Sequence, residues 1–303
     1  MVKRWHHPST CQALLWLALA TCTGLLAACG SSPHAPATVP ATPRPSGLAA
    51  APPDEIAAEY LPGLSAHLRF PIADEPAPLI VLVPGGGWSS ADPTGLIPLA
   101  RLLTDAGSTT ALITYSTTGD GSTFPEAVDD VACAVRWSAD QASSHGRAPT
   151  RVIVLGHSAG GHLAALVTFS GEDFGRDCPD PRVDIDGLIG LAGIYDTDPF
   201  RAFMSPWMGV SPTELPETWQ RADPIEWLRR GADTPKGLRA LLIHGDEDQS
   251  VPLAQTTALR EALDTAGIEA HSTVLPGLDH LEIFQASHAG PPILSWMGAW
   301  PTA

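Results

Sequence analysis

Residues 152–164 read VIVLGHSAGGHLA, and this stretch decides the fold class. It begins as a short apolar run of strand length and continues, after the glycines, as a helix-forming run. Between the two runs stands Gly156-x-Ser158-x-Gly160, the pattern of a serine at a sharp turn from a strand into a helix. The two glycines let the strand and the helix approach closely, and the turn exposes the Ser158 hydroxyl. The stretch therefore predicts a nucleophile at Ser158, and a purely structural turn is the alternative.

The rest of the chain alternates in the same way between strand-like and helix-like segments. Apolar runs of strand length lie at 79–83, 110–115, 152–155, 188–191 and 238–244, and stretches of helical period lie at 97–106, 125–142 and 256–266. Short buried strands alternating with helices predict an α/β fold with a mostly parallel central sheet flanked by helices. Residues 196–236 interrupt the alternation with prolines and aromatic residues, and predict either a small lid over a pocket or an ordinary packed excursion.

The composition limits the classes of partner. The chain has 303 residues, a hydrophobic fraction of 44% and a net charge of −16. Lysine occurs only at Lys3 and Lys236, which argues against a nucleic-acid partner, because phosphate binding needs clustered basic residues. The same charge disfavours electrostatic docking onto anionic lipid. No histidine pair has the spacing of a zinc-binding helix, so we expect no metal and no cofactor.

Residues 1–28 have the pattern of an export signal. Two basic residues precede an apolar run at 13–28, which is shorter than the roughly 20 residues of a membrane span but typical of a signal-peptide core. The run ends as LAACG at 26–30, which resembles the bacterial lipobox, whose cysteine is lipidated and becomes the first residue of the mature protein. An ordinary cleaved signal, with an incidental Cys29, is the alternative.

The predicted domain boundaries follow from this front end. Residues 29–53 are rich in proline and alanine and predict a semi-rigid tether. Residues 54–303 then form one folded domain of ordinary size. The expected location is the outer side of a bacterial membrane, reached through a lipid anchor at Cys29.

A serine nucleophile needs a histidine to remove its proton and a carboxylate to orient that histidine. With a serine at a turn of this kind, the acid follows it along the chain and the histidine comes last. The strand at 238–244 leads into an acidic loop that contains Asp246, Glu247 and Asp248. The pattern alone does not choose among these three carboxylates.

Three histidines follow the acidic loop. His280 is favoured as the base because it lies just past the last strand-like run, in a loop that can reach the carboxyl edge of the sheet. His271 begins that strand-like run and is interpreted as structural, and His288 lies near the C-terminus beside a Gly-Pro-Pro sequence.

Three glycines follow the first strong strand, in the sequence Val83-Pro84-Gly85-Gly86-Gly87-Trp88. Glycines leave backbone N–H groups free to face a ligand, as the negative oxygen of a tetrahedral intermediate requires. A phosphate-binding loop is not indicated, because no Lys-Ser or Lys-Thr pair follows. A flexible hinge is the alternative.

Together these motifs resemble the α/β-hydrolase superfamily, and within it the esterase branch around hormone-sensitive-lipase-like, feruloyl-esterase-like and kynurenine-formamidase-like enzymes. The resemblance runs from about residue 65 to 285 and includes FPEA at 124–127 and HGDEDQSVP at 244–252. It implies Ser158 as nucleophile, Asp248 as acid and His280 as base, with oxyanion amides from Gly86, Gly87 and Ala159. The chain departs from the family at Pro84, where a histidine is usual, so the hydrogen bonding of the glycine loop must differ.

The resemblance implies a serine hydrolase that cleaves small-molecule carboxylic esters, with small acyl or aryl groups, through an acyl-enzyme intermediate. The alternatives are a serine peptidase or amidase on the same fold, and a binding lipoprotein without catalysis. Trp88 and the aromatic residues of 196–236, Trp207 among them, predict an apolar substrate pocket, although such residues equally fit a core.

Cys133 and Cys178 are the remaining candidates for a disulfide after export into an oxidising compartment. The alternative is a buried helix residue at Cys133 and a free loop thiol at Cys178.

Overall fold

Eight strands form one central sheet, in the order β1-β2-β4-β3-β5-β6-β7-β8, in a computed structural model that describes residues 54–73, 75–231 and 234–300. The strands are β1 (Glu55–Leu61), β2 (Leu64–Arg69), β3 (Leu79–Val83), β4 (Thr109–Ile113), β5 (Val152–His157), β6 (Gly187–Leu191), β7 (Arg239–Gly245) and β8 (Glu269–Leu275). β2 pairs antiparallel with both β1 and β4, and every other pairing is parallel. The predicted mostly parallel sheet is confirmed. The predicted signal peptide, the tether and Cys29 lie outside the described residues.

Helices cover both faces of the sheet. They are α1 (Ile97–Asp105), α2 (Glu126–Ser144), α3 (Ala159–Phe169), α4 (Arg201–Met208), α5 (Pro216–Arg221), α6 (Pro224–Arg229), α7 (Ala254–Thr265) and α8 (Ala286–Gly298). α1 and α8 pack against one face, and α2, α3, α6 and α7 contribute to the core on the other. In the part of the chain that the structure describes, no helix is both long and apolar enough to span a bilayer.

The alternation of side chains along the strands builds the two cores. All five residues of β3 are buried. Leu79, Val81 and Val83 pack into the core with α2 and α3, while Ile80 and Leu82 pack into the core with α1 and α8. A strand buried on both faces has to be apolar at every position, which is why these strands are continuous apolar runs. The carboxyl ends of the parallel strands meet at one edge, where such folds bind their ligands.

The segment 196–236 folds mainly as a packed excursion. It contains α4, α5 and α6, and the side chains of Met204, Trp207, Trp219 and Trp227 are buried in the core. Phe203, which is 59% exposed, and Phe200, which is half-buried, are the exceptions among its aromatic residues. The lid interpretation therefore does not describe the segment as a whole, since most of its aromatic residues stabilise the fold.

A disulfide joins Cys133 of α2 to Cys178 in the connection between α3 and β6, with a Cα–Cα distance of 5.1 Å. Hydrogen bonds support the same junction: the amide of Gly175 donates to Asp129 at 2.6 Å, and Arg136 donates to the carbonyl of Gly175 at 2.7 Å. The free-thiol alternative for these cysteines is excluded in this structure.

We expect the double variant C133A/C178A to fold with lower stability. The disulfide closes a sequence separation of 45 residues, and such a loop constrains the unfolded chain by about 4 kcal/mol in the chain-entropy treatment. Denaturant unfolding of the variant, and of the wild type with and without reductant, measures the loss. A wild type whose unfolding midpoint does not respond to reductant would contradict this expectation.

Candidate active site

Ser158 stands between β5 and α3 in strained backbone, with φ 55° and ψ −122°. The flanking glycines permit this turn. A Cβ at Gly156 would lie 2.1 Å from the carbonyl oxygen of Gly160, and a Cβ at Gly160 would lie 2.3 Å from that of Val83. Any side chain at either position would push the strand and the helix apart. Strained backbone of this kind concentrates at functional sites.

The structure brings Ser158, His280 and Asp248 into one hydrogen-bonded chain. Nε2 of His280 lies 2.9 Å from Oγ of Ser158, and Nδ1 of His280 lies 2.7 Å from Oδ2 of Asp248. A carboxylate only accepts, so Nδ1 carries the proton and Nε2 presents its lone pair to the serine hydroxyl. The three side chains come from the loops after β5, β7 and β8.

The hydrogen bonds to Asp248 distinguish it from its two acidic neighbours. Its side chain is 1% exposed, and its Oδ1 accepts from the amides of Ser250 and Val251 at 2.8 Å each. Burial raises the pKa of Asp248, but the hydrogen bonds from Val251, His280 and Ser250 outweigh it and leave the pKa below its ordinary value. Asp248 is therefore ionised at neutral pH.

The other two carboxylates of the acidic loop do not contact His280. Asp246 is exposed and accepts a hydrogen bond from the amide of Gly277 at 2.6 Å. Glu247 is exposed, and its amide donates to the carbonyl of Leu278 at 3.1 Å. Both residues hold the two loops together through these bonds.

The glycine loop after β3 adopts backbone angles that favour glycine. Gly86 has φ 139° and Gly87 has φ 58°, and Trp88 continues with φ 55°. The amides of Gly86 and Gly87 donate to no backbone carbonyl within the described residues, and the amide of Ala159 lies in the first turn of α3, where helix amides are unpaired. These three amides are available to bind an oxyanion.

Tyr115 stabilises the glycine loop, and sequence reasoning missed it. Its hydroxyl is buried and donates a hydrogen bond to the carbonyl of Pro84 at 2.9 Å. The carbonyl of Ser90 lies 3.4 Å from the same hydroxyl and accepts a weaker hydrogen bond. The position of Tyr115 at the end of an apolar strand carried no signal of the contact.

A cavity of about 740 Å³ opens at Ser158. Its apolar wall includes three phenylalanines, at Phe200, Phe203 and Phe284, and its lining also contains His157, His280, Gly86 and Gly87. No Lys or Arg lines the cavity within the described residues, and Asp92 is its one carboxylate there. The cavity therefore suits an uncharged, largely apolar ligand.

The prediction that Trp88 and Trp207 line this pocket is wrong. The two rings stack on each other, with centroids 5.1 Å apart, and are 0% and 1% exposed. The positive φ of Trp88 accompanies a side chain buried in the core, where it packs edge-on against His162. Phenylalanines occupy the wall instead.

Three buried histidines lie close to the site: His244, whose Nε2 is 3.3 Å from Oδ2 of Asp248, and the pair His157 and His162. Burial lowers the pKa of His157 to about 3, with a further contribution from His280, and burial lowers the pKa of His162 to about 4. Both imidazoles are neutral in the folded protein at neutral pH. Within the described residues, no group of three or more His, Cys, Asp or Glu side chains is arranged to hold a metal ion.

The buried histidines predict a loss of stability in mild acid. Below the ordinary pKa of 6.5 the unfolded chain binds protons at these residues while the folded chain does not. Stability therefore falls as the pH drops from 6.5 toward the folded-state values, by up to about 1.4 kcal/mol per pH unit for each histidine. Denaturant unfolding of the wild type and of H162Q, measured between about pH 7 and 4.5, gives the slope of the unfolding free energy against pH for each protein. We expect a shallower pH dependence in H162Q, and parallel curves would contradict the assignment.

Comparison with known proteins agrees with this fold. A mostly parallel sheet, with a serine at the strand-to-helix turn and the acid and histidine in later loops, defines the α/β-hydrolase class. The chain belongs to the BD-FAE family, whose model matches residues 70–263.

The curated relatives are distant and longer. Esterase LipQ of Mycobacterium tuberculosis is 28% identical over 218 residues, covering 67% of this chain and 50% of LipQ. Esterase LipC of the same organism is 28% identical over 239 residues, covering 74% of this chain and 58% of LipC. The chain thus spans about half the length of the curated relatives it matches.

Solved structures share the fold. The thermophilic esterase Est2 of Thermogutta terrifontis, with propionate bound, has a TM-score of 0.65 at 20% identity, covering 83% of this chain and 97% of Est2. A truncated carbohydrate esterase from gut microbiota has a TM-score of 0.64 at 20% identity, covering 83% of this chain and 100% of that one.

Proposed function

We propose that this protein is a serine hydrolase of carboxylic esters. One observation carries the proposal: Ser158, His280 and Asp248 are hydrogen-bonded in series, at 2.9 and 2.7 Å, beside an apolar cavity. The names of LipQ, LipC and Est2 as esterases support the ester as substrate.

The proposed reaction is acyl transfer in two steps. Oγ of Ser158 attacks the ester carbonyl carbon and gives its proton to Nε2 of His280, while Asp248 stabilises the imidazolium through Nδ1. The amides of Gly86, Gly87 and Ala159 bind the oxygen that becomes negative. His280 then protonates the leaving alcohol as the carbon–oxygen bond breaks. Water, deprotonated by His280, attacks the acyl-enzyme and releases the acid with Ser158 restored.

The cavity lining favours esters with small acyl or aryl groups. Phe200, Phe203 and Phe284 present apolar surface, and Asp92, the lining's carboxylate, disfavours an anionic substrate. The bound propionate and butyrate of the Est2 structures support short acyl groups by analogy.

A fluorophosphonate probe and a set of nitrophenyl esters test the proposal. We expect the probe to modify Ser158, located by peptide mass mapping, and expect the highest kcat/KM at acyl chains of about two to four carbon atoms. Acetylated and feruloylated sugars extend the series toward natural esters. A protein that neither reacts with the probe nor hydrolyses any ester would contradict the proposal and favour a binding protein without catalysis.

A matched ester and amide separate esterase from amidase or peptidase activity. The nitrophenyl ester and the nitroanilide of one acyl group differ only in the leaving atom. We expect hydrolysis of the ester to dominate, and comparable rates on the nitroanilide would favour the amidase alternative.

We also propose that the protein is exported and anchored by lipid at Cys29. The export pattern of residues 1–28 and the lipobox-like sequence at 26–30 support this proposal. The Cys133–Cys178 disulfide fits an oxidising compartment. Metabolic labelling with palmitate, followed by membrane fractionation, should detect the lipid in wild type and lose it in C29A. A protein that stays unlabelled would contradict the anchor.

A further inference from the structure

His157 precedes Ser158 in the chain and contacts the loop that carries His280. Its Nε2 lies 2.9 Å from the carbonyl oxygen of His280, across 123 residues of sequence. Its ring lies against the rings of His280 and Phe284, with centroid distances of 4.7 Å in both cases. His157 is 6% exposed, so this contact is shielded from solvent.

The same ring packs against the glycine loop. A Cβ at Gly85 would lie 2.7 Å from Nδ1 of His157, so only a glycine leaves room for the imidazole there. His157 therefore contacts the loop that offers the oxyanion amides on one side and the loop that carries His280 on the other.

The protonation of His157 follows from its partner. A carbonyl oxygen only accepts hydrogen bonds, so Nε2 of His157 carries the proton and donates a hydrogen bond to the backbone carbonyl of His280. Burial lowers the pKa of His157 to about 3. The ring is therefore neutral and does not repel the imidazolium that forms on His280 during the reaction.

The main chain of the His280 loop, at 276–285, is held from two directions. From the acidic loop, Asp246 accepts from the amide of Gly277, and the amide of Glu247 donates to the carbonyl of Leu278. From the nucleophile side, His157 donates to the carbonyl of His280 itself. This third bond holds the backbone of the residue whose Nε2 faces Ser158.

We infer that His157 is a positioning residue: its Nε2–H holds the main chain of His280 so that the imidazole stays aligned with Ser158. The inference rests on the proposed serine-esterase function. It adds to that site a residue other than Ser158, His280 and Asp248. His157 itself touches neither the reacting bond nor the transferred proton.

Two substitutions separate the hydrogen bond from the bulk of the side chain. His157→Leu replaces the imidazole with an apolar side chain of moderate size and removes the hydrogen-bond donor. His157→Gln retains an N–H donor of similar reach. We expect H157L to lower kcat by ~10²-fold with KM changed less than ~3-fold, because a small displacement of the base costs rate rather than binding. We expect H157Q to keep kcat within ~5-fold of the wild type.

A control variant tests whether any lost buried hydrogen bond has the same effect. The Nε1 of Trp227 donates to the carbonyl of Arg221 at 2.8 Å, and this residue neither lines the cavity nor hydrogen-bonds to the three aligned side chains. Trp227→Phe removes that one donor. We expect W227F to lose stability, measured as Tm, while its kcat equals that of the wild type.

The rate of Ser158 modification by a fluorophosphonate provides a second readout, since it needs the same alignment. We expect it to fall in H157L in parallel with kcat and to recover in H157Q. Equal loss in H157L and H157Q, or an unchanged kcat in H157L, would overturn the inference. Should H157L fail to fold, His157→Met, which also lacks a donor, replaces it in the comparison. A wild type without esterase activity and without probe labelling would instead overturn the proposed function.

Discussion

The Ser158→Ala variant should lose ester hydrolysis by at least ~10⁴-fold in kcat/KM, since it lacks the nucleophile of the proposed mechanism. Ser158 is the residue whose Oγ meets Nε2 of His280 at 2.9 Å. Alanine removes that oxygen and leaves the turn, the glycine loop and the cavity in place. Hydrolysis of a short-chain nitrophenyl ester at saturating and limiting substrate measures the loss.

Ser170→Ala is a matched control for this substitution. Ser170 follows the other end of α3, is buried, and has a hydroxyl without a hydrogen-bond partner within the described residues. We expect S170A to keep the wild-type rate. Near-wild-type turnover by S158A would contradict the serine mechanism. Equal loss of activity in both variants would indicate that helix α3 is damaged.

The Asp248→Asn variant should lower kcat by ~10⁴-fold while the protein remains folded, because an amide at this position no longer requires the productive tautomer of His280. In the wild type the carboxylate accepts the Nδ1 proton at 2.7 Å. An asparagine can present its N–H₂ group to Nδ1 instead, which moves the proton to Nε2 and blocks acceptance from Ser158.

The neighbouring carboxylate provides the control for Asp248. Glu247→Gln removes one charge from the same loop, but the Glu247 side chain is exposed and does not contact His280. We expect E247Q to retain activity within ~3-fold, with its circular dichroism spectrum unchanged. Comparable losses in D248N and E247Q would indicate a general effect of loop charge and would contradict the orienting role of Asp248.

Much of the fold was predictable because its signals are local. The apolar run at 79–83 coincides with β3, and the helical periods at 97–106 and 125–142 match α1 and α2 to within two residues. A strand buried on both faces must be apolar throughout, and this pattern is visible without knowledge of its neighbours.

Two other parts of the fold, the β1–β2 pair and α8, carried no readable local signal. The antiparallel pair β1 and β2 has a mixed burial pattern with several exposed positions. Helix α8 contains Pro291 and Pro292, residues that ordinarily interrupt a helix. Both elements depend on packing against distant parts of the chain.

The sequence by itself determined the strand-to-helix turn at Ser158, because steric contacts between Gly156 and Gly160 are fixed within five residues. It also predicted the chain order of the proposed nucleophile, acid and histidine. The local pattern alone left three adjacent carboxylates open, and the tertiary structure brings Asp248 to His280, buries Trp88 away from the cavity and places His157 against the His280 loop. The physical reason is the sequence separation between the residues that interact. A turn follows from the backbone angles of neighbouring residues, whereas a hydrogen bond across 122 residues, such as that of Ser158 with His280, exists only once the sheet brings its strand ends together.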